Sequence, residues 1–384
     1  MLSILLKLSF GLLLFNAIVI HGVDSNEVEH GSDELNALLT QNEKIDGLFQ
    51  QVENGFINKG EYGIVLEGIR ISDKLQVAMK FVRKEFGDAA KREYEMYTYL
   101  KATCNETDVR KFGFANVYHY NEDWNGYFLT ILSFFSWGNL LNKENKVYFN
   151  HSVGFYDINT LIVLRDFVRQ SKYMHSCRIK HNNIQPEHIV LRCDRSFLIN
   201  FSKGSKTHFP NPRGSSKFAS RRTHNNQITT PICDWESFLY SLCFISNVEL
   251  GWFFDSKYEN MNTDEADKEF KEMKEKTNIT EIIKKAFKED LQKVLIEFSK
   301  EIFEREKTIP DYDKLYEKIT KAIGPEFMAT FTWLEGSRTN VRFHNLINFF
   351  DIKKDIVLPP DDHEYKYPEV NYNKFTPTTT NKIT

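Results

Sequence analysis

"HNNIQPEHIVL", residues 181–191, lies between an apolar run with helical spacing, Leu161–Met174, and a short strand-like pattern. A Pro-Glu centre with apolar ends describes a tightly packed loop, a place where enzymes keep working groups. A loop built for phosphate chemistry carries an acid, a lysine and a metal ligand. This one carries Asn183, Gln185 and His188.

Working outward, "VENGFINKGEYGIVLEGIR" (52–70) alternates apolar residues on both sides of a glycine turn, which predicts a hairpin. "LQVAMKFVR" (75–83) predicts a third strand and "DAAKREYEMYTYLKA" (88–102) a helix. Strand-like runs follow at 112–120 and 126–134, then a polar link, a helix at 155–176, the quoted loop and the strand "SFLIN" (196–200). After residue 230 the pattern turns mostly helical. The stretch 263–298 reads as a charged amphipathic helical segment whose polar face is a solvated surface or a docking face. Five strands with one helix, then a larger helical half, predict an α+β fold of two lobes with a cleft between them.

Composition agrees with a folded domain. Of 384 residues, 41% are hydrophobic and 27% charged, enough for a sizeable core. A formal net charge of −3 gives no general attraction to nucleic acid or to an anionic membrane.

The N-terminus carries its own signal. Met1–Lys7 is short and weakly basic, Leu8–Ile20 is almost unbrokenly apolar, and Gly22 supplies a small residue for cleavage. That order predicts a signal peptide over 1–22, an acidic linker over 23–44, and a secreted or luminal protein. The apolar core is short for a membrane span, and an uncleaved signal anchor is the alternative. Five cysteines, Cys104, Cys177, Cys193, Cys233 and Cys243, show no metal-binding spacing. They read as buried thiols, or as one or two disulfides with one thiol left over; Cys177 and Cys193 flank the quoted loop. Sequons at Asn105, Asn150, Asn200 and Asn278 are no more than an Asn-, Ser- and Thr-rich chain produces, so they are weak support for secretion. Asn200 follows an apolar strand and is expected to be too buried for a glycan.

In order along the chain, these pieces resemble a protein kinase. Gly60-Glu-Tyr-Gly63-Ile-Val65 is similar to the end of the Gly-rich loop and "VAMK" (77–80) to the lysine-bearing strand. The quoted loop resembles H-R-D-x-K-P-x-N, and "LINFS" (198–202) the strand entering D-F-G. Downstream, "GSSKFASRRTHNNQITTPICDWESFLYSLCF" (214–244) resembles the casein kinase 1 pattern G-T-x-R-Y-A-S-x-x-x-H followed by D-D-x-E-S-x-x-Y, in register from Gly214 to Trp252. "EREKTIPDY" (304–312) resembles that group's R-F-x-x-x-P-D-Y, with Arg305 in register. The likeness, to the casein kinase 1 and tau-tubulin kinase group, implies a bilobal kinase-like domain over 45–323. Its small β-rich lobe would cover about 45–134 and its larger helical lobe about 135–323. The tail 324–384, with "LPPDDHEYKYPEVNY" and a Thr-rich end, resembles nothing comparable and is expected to be partly disordered.

The departures decide what the resemblance implies. The position of the base that takes the substrate's hydroxyl proton is Asn183, and an amide accepts no proton near neutral pH. The loop lysine is Gln185, the loop metal ligand His188, the principal Mg²⁺ carboxylate Asn200, and its following glycine Ser202. Neutral amides hold a hard dication poorly. Phosphoryl transfer rests on positioning and charge neutralisation, so losing all of these together removes its basis. Asn58 also replaces the first glycine of the phosphate loop.

Other positions survive. Gly60, Gly63, Val65, Ala78 and Lys80 match nucleotide-binding positions, and Glu95 the helix partner of the lysine; Glu95 alternatively pairs with Lys91 one turn earlier. Asp234 matches the acid that braces the loop from beneath, and Arg305 a structural arginine. Lys217, near the family's activation segment, recognises an anion or is simply solvated. The histidines lack helical or Cys-paired ligand spacing, so no metal site is expected. The resulting expectation is a pseudokinase that needs no cofactor and binds no Mg²⁺, acting on an unidentified protein partner and not on nucleic acid. The alternatives are an atypical Ser/Thr kinase, with Glu187 or a histidine replacing the lost acids, or a metal-independent ATP sensor.

Overall fold

The computed structural model describes residues 44–60, 62–103, 108–135, 157–192, 195–206, 216–246, 248–253, 263–304 and 309–323. All of them fall in the first of the two units into which the chain divides, Met1–Trp333. The leader 1–22, the linker up to residue 43, the tail 324–384, Arg305, Cys104, Cys193, Asn105 and Asn150 lie outside the described residues.

Strands β1 (Lys44–Ile45), β2 (Phe49–Gly60), β3 (Gly63–Arg70), β4 (Gln76–Arg83), β5 (Val117–Trp124) and β6 (Tyr127–Ser133) form one antiparallel sheet in the order β1-β2-β3-β4-β6-β5. The period of two sorts its faces. Ile64 and Leu66 of β3 and Val77, Met79 and Phe81 of β4 are buried with Ile45, Phe49, Leu129 and Ile131 in the sheet's core. Val65, Ala78 and Lys80 therefore share the opposite face, with Lys80 paired to Val65 on one side and Thr130 on the other. Helix α1 (Gly87–Thr103) turns Ala90, Glu93, Met96, Tyr97 and Leu100 inward, spacings of three and four that make one helical face.

The remainder is largely helical. Its helices are α2 (Asp157–Ser176), α3 (Arg221–His224), α4 (Pro231–Ile245), α5 (Thr263–Lys276), α6 (Ile279–Ala286), α7 (Glu289–Phe303) and α8 (Tyr312–Ile323), with α4, α7 and α8 packed on α2. The architecture is thus α+β, with eight α-helices among the described residues. Helix α4 starts on Pro231, where a missing N–H costs nothing, and is buried nearly all round, as its apolar composition requires. Phe167 of α2 stacks on Phe238 of α4 at 3.6 Å, and Trp235 stacks on Phe298 of α7 at 4.8 Å. Such pairs add about 0.5–1.5 kcal/mol beyond area burial.

A separate hairpin, β7 (Ile189–Arg192) with β8 (Arg195–Leu198), sets the far end of the quoted loop. The Ser196 N–H donates to Asp166 Oδ2 at 2.8 Å, and Gln170 Nε2 donates to the Ser196 carbonyl at 2.6 Å, which ties the hairpin to α2. Gly113, at φ +87, lies against Gln170, where a Cβ would come within 2.5 Å of the amide nitrogen. Only glycine allows that approach, and its carbonyl accepts from the Leu198 N–H at 2.9 Å. Further on, the buried Lys274 ammonium of α5 spends three donors on the Ser216 carbonyl (2.8 Å), the Ala219 carbonyl (2.8 Å) and His224 Nε2 (3.0 Å), holding the 216–224 stretch in place.

Two expected elements differ in detail. The strand expected over 112–120 begins at Val117, because 109–112 forms a 3-10 turn capped by Asp108, whose side chain accepts from the Arg110 N–H, and closed by Gly113. The segment 263–298 holds three helices, broken at Thr277–Asn278 and Phe287–Lys288. Cys177, Cys233 and Cys243 are free buried thiols, and burial pushes the Cys243 thiol up to about 12.

Candidate functional site

The 181–188 loop is held from below by one carboxylate. Asp234, on the first turn of α4 and 1% exposed, accepts from the His181 N–H at 2.9 Å with Oδ2 and from the Asn182 N–H at 2.9 Å with Oδ1. His175 Nε2, at the end of α2, donates to the same Oδ2 at 2.9 Å, and the other ring nitrogen of His175 lies 2.7 Å from the Tyr312 hydroxyl. Burial alone pushes the Asp234 carboxyl up. The His175 hydrogen bond, the two nearby imidazoles and the His181 amide outweigh it and leave the group below the ordinary carboxylate range.

Above the brace, the loop is stitched by neutral groups. Asn182 adopts φ 61, a left-handed conformation that asparagine tolerates. Its Nδ2 donates to the Lys203 carbonyl and to Ser205 Oγ, both at 3.0 Å, and its Oδ1 accepts from the Thr229 hydroxyl at 3.0 Å. His181 Nε2 donates to the Ile199 carbonyl at 3.0 Å, while its Nδ1 accepts from the Asn183 N–H at 3.3 Å. That pair of partners fixes a neutral ring, and burial lowers its pKa further.

His188 is the centre of the site. Its Nδ1 faces the Asn183 carbonyl at 2.7 Å, an acceptor, so Nδ1 carries the proton. Nε2 is then an acceptor, and it meets Asn200 Nδ2 at 2.7 Å and Gln185 Nε2 at 3.2 Å. Burial, then the nearby His181 ring and the Lys80 charge, push His188 down to about 3, although the bond to the Asn183 carbonyl opposes them. The Gln185 and Asn200 side chains and the Asn183 backbone carbonyl are therefore joined through the His188 imidazole. Asn200 sits at φ 66, its N–H donates to the Tyr97 hydroxyl at 3.2 Å, and its Oδ1 is buried without a partner among the described residues.

Facing this network, Lys80 Nζ lies 2.6 Å from Glu93 Oε2, with Glu93 3% exposed. The expected partner, Glu95, is exposed and turned away. Two residues on a helix separate side chains by about 200°, so only one of the two acids can face the sheet. Glu93 falls in the buried series with Ala90, Met96, Tyr97 and Leu100, a periodicity that was legible. Arg92 of the same helix donates to the Ser202 carbonyl at 3.0 Å.

At the hairpin tip, Gly60 pairs with Gly63, and a Cβ on Gly63 would come within 1.8 Å of the Phe81 carbonyl oxygen. The tip ring, Tyr62, is folded inward onto Phe86 at 5.1 Å, with Lys203 Nζ 5.4 Å from its centroid. Asn58 is exposed. Lys217 Nζ reaches the Phe253 carbonyl at 3.5 Å.

No protein-family model matches this chain, and no curated protein matches it. Among the described residues, no group of three or more His, Cys, Asp and Glu side chains is placed to hold a metal ion, and no helix is long and apolar enough to cross a membrane.

Sequence reading placed Lys80, Asp234 and the 181–200 positions in one site, but it missed Glu93, Asn182, His175 and Tyr62. The first was available from helical phase. The other three depend on partners about 20 to 140 residues away and leave no local signal.

Two outcomes follow from this geometry. Asp234→Asn strands donors at the base of the loop and lowers stability by about 1–3 kcal/mol. Asn183→Ala keeps the backbone atoms that serve the network and costs clearly less. A carboxylate with a depressed folded pKa contributes stability present above the unfolded pKa and lost as pH falls through the folded one. The gap between wild type and Asp234→Asn therefore narrows below about pH 4. Denaturant melts at pH 7 and pH 3 check both; equal losses for the two variants contradict the brace.

For His188, a proton enters the unfolded chain near pH 6.5 but the folded chain only near pH 3. Acid therefore erodes stability across that window, and the folded ring stays neutral. Ring resonances of His188 are expected to remain flat from pH 8 to pH 4, and a midpoint near 6.5 rules out the neutral node.

Proposed function

We propose that this chain is a catalytically inactive casein kinase 1-like pseudokinase, a bilobal kinase-like domain that works as a binding or regulatory module for a protein partner in the secretory lumen or outside the cell. The observation that carries the reading is the neutral node at His188. Where the kinase resemblance requires a lysine and a metal ligand, the Gln185 and Asn200 side chains donate to one uncharged imidazole, His188, itself at a metal-ligand position. The residue at the base position, Asn183, gives that ring its backbone carbonyl.

The donor chemistry does not suit Mg²⁺. A hard dication wants several anionic or carbonyl oxygens. Here the Asn200 amide presents its nitrogen to His188, as the tautomer demands, and no carboxylate occupies these positions. Glu187, the stand-in acid of an active-kinase alternative, is exposed, with Gln185 Nε2 3.5 Å from its carboxylate. The six-stranded sheet with α1, the mostly helical remainder and the Asp234 brace support the kinase-like architecture. The apolar leader over 1–22 supports the secretory location.

A second reading rests on the Lys80–Glu93 pair at 2.6 Å. An ammonium held on the face that carries Val65 and Ala78 attracts phosphates without any metal, so on this reading the module is also a metal-independent nucleotide sensor.

The deciding experiment is a thermal-shift titration with ATP, run with and without Mg²⁺ or Mn²⁺, beside a phosphate-transfer assay on casein and on the protein itself. No transfer is expected. Any ATP stabilisation is expected to vanish in Lys80→Ala and not to grow with metal. Transfer by the wild type that Lys80→Ala abolishes overturns the inactive reading.

A further inference from the structure

Two of the four Asn-x-Ser/Thr sequons fall on described residues, and the fold treats them oppositely. Asn200-Phe201-Ser202 is built into the interior. Asn200 Nδ2 is committed to His188, and Phe201 and Ser202 are 0% and 1% exposed. Asn278-Ile279-Thr280 opens α6 on the surface. Asn278 is exposed and acts as the N-cap, its Oδ1 accepting from the Glu281 N–H at 3.2 Å. Its Nδ2 has no protein partner among the described residues. Ile279 anchors the helix start in the core, and the Thr280 hydroxyl lies 3.3 Å from Ser299 Oγ.

We propose that Asn278 is a site of N-glycosylation; the inference rests on the luminal location given above. Capping and glycosylation use different atoms of the same amide. The cap uses the oxygen. Glycan transfer uses the nitrogen: Nδ2 bonds to the anomeric carbon of an oligosaccharide carried on a lipid pyrophosphate. The anomeric C–O bond breaks, the lipid pyrophosphate leaves with the electron pair, and Nδ2 gives up one of its two protons. The product is a secondary amide whose Oδ1 still accepts from Glu281, so the helix start survives modification. The sugar then covers the surface at the α5–α6 junction and removes it from the areas open to a protein partner. At Asn200 the same transfer requires breaking the bond to His188 and placing a sugar against buried Phe201 and Ser202, so folded molecules carry none there.

The test is glycopeptide mapping of the full chain secreted from a eukaryotic cell, once with its own leader and once with 1–22 replaced by an established cleavable leader. Enzymatic deglycosylation is expected to convert Asn278 to Asp in most secreted molecules and to leave Asn200 unchanged. Asn278→Asp, which keeps a capping oxygen, and Thr280→Ala abolish the glycopeptide, whereas Thr280→Ser keeps it. The melting temperature of Asn278→Asp is expected to match that of the deglycosylated wild type. Modification only with the substituted leader supports the site while overturning the location. Unmodified Asn278 in folded protein secreted with the substituted leader, or a glycan on Asn200, overturns the inference itself.

Discussion

A single carboxylate, Asp234, organises the middle of this protein. Fixed by Pro231 and the first turn of a buried helix, it gathers two loop amides and the His175 imidazole, each at 2.9 Å. A carboxylate this deep is costly unless it is well supplied with donors, and here they come from the end of α2 and from the loop, to an acceptor on α4. That requirement forces the end of α2, the 181–188 loop and the start of α4 into register. Everything above the brace inherits its geometry, including the left-handed turn at Asn182 and the placement of His188 under Asn200.

What sits on this scaffold is consistent in its charge. An acid, a lysine and metal-binding carboxylates form a mutually dependent set, since each neutralises or holds another. Removing one leaves the rest as a buried liability. On the pseudokinase reading proposed above, Asn183, Gln185, His188 and Asn200 stand where that set would be, and the Gln185 and Asn200 side chains and the Asn183 backbone carbonyl meet at one neutral ring. Asn200 Oδ1 and, two residues on, Ser202 Oγ are left buried without a hydrogen-bond partner among the described residues. In the Lys80–Glu93 pair the two charges cancel, with the acid buried among the inward side chains of α1.

Much of the fold was legible because its elements announce themselves locally. The alternation over 63–83 set which residues of β3 and β4 face the core, and the apolar runs at 161–174 and 231–245 set the two central helices. Legibility failed where position depends on phase or on distant partners. Glu95 was assigned by motif spacing, but the helix turns Glu93 inward. The continuous pattern over 263–298 hid two breaks, because Asn278 and Lys288 interrupt helical geometry without interrupting the charge pattern. The loop's composition shows neutral side chains, Asn183, Gln185 and His188, where phosphate chemistry needs charged ones. It did not reveal that the substitutes bind each other, because Gln185, His188 and Asn200 meet only after the hairpin folds back.

The central claim is that this site holds no divalent cation in a kinase-like manner. Its most direct measurement is Mn²⁺ binding by electron paramagnetic resonance, with and without ATP, combined with relaxation of the His188 ring resonances. The neutral node predicts no protein-dependent Mn²⁺ population and no selective broadening at His188. Saturable Mn²⁺ binding that broadens His188 and is lost in Asn200→Ala contradicts it.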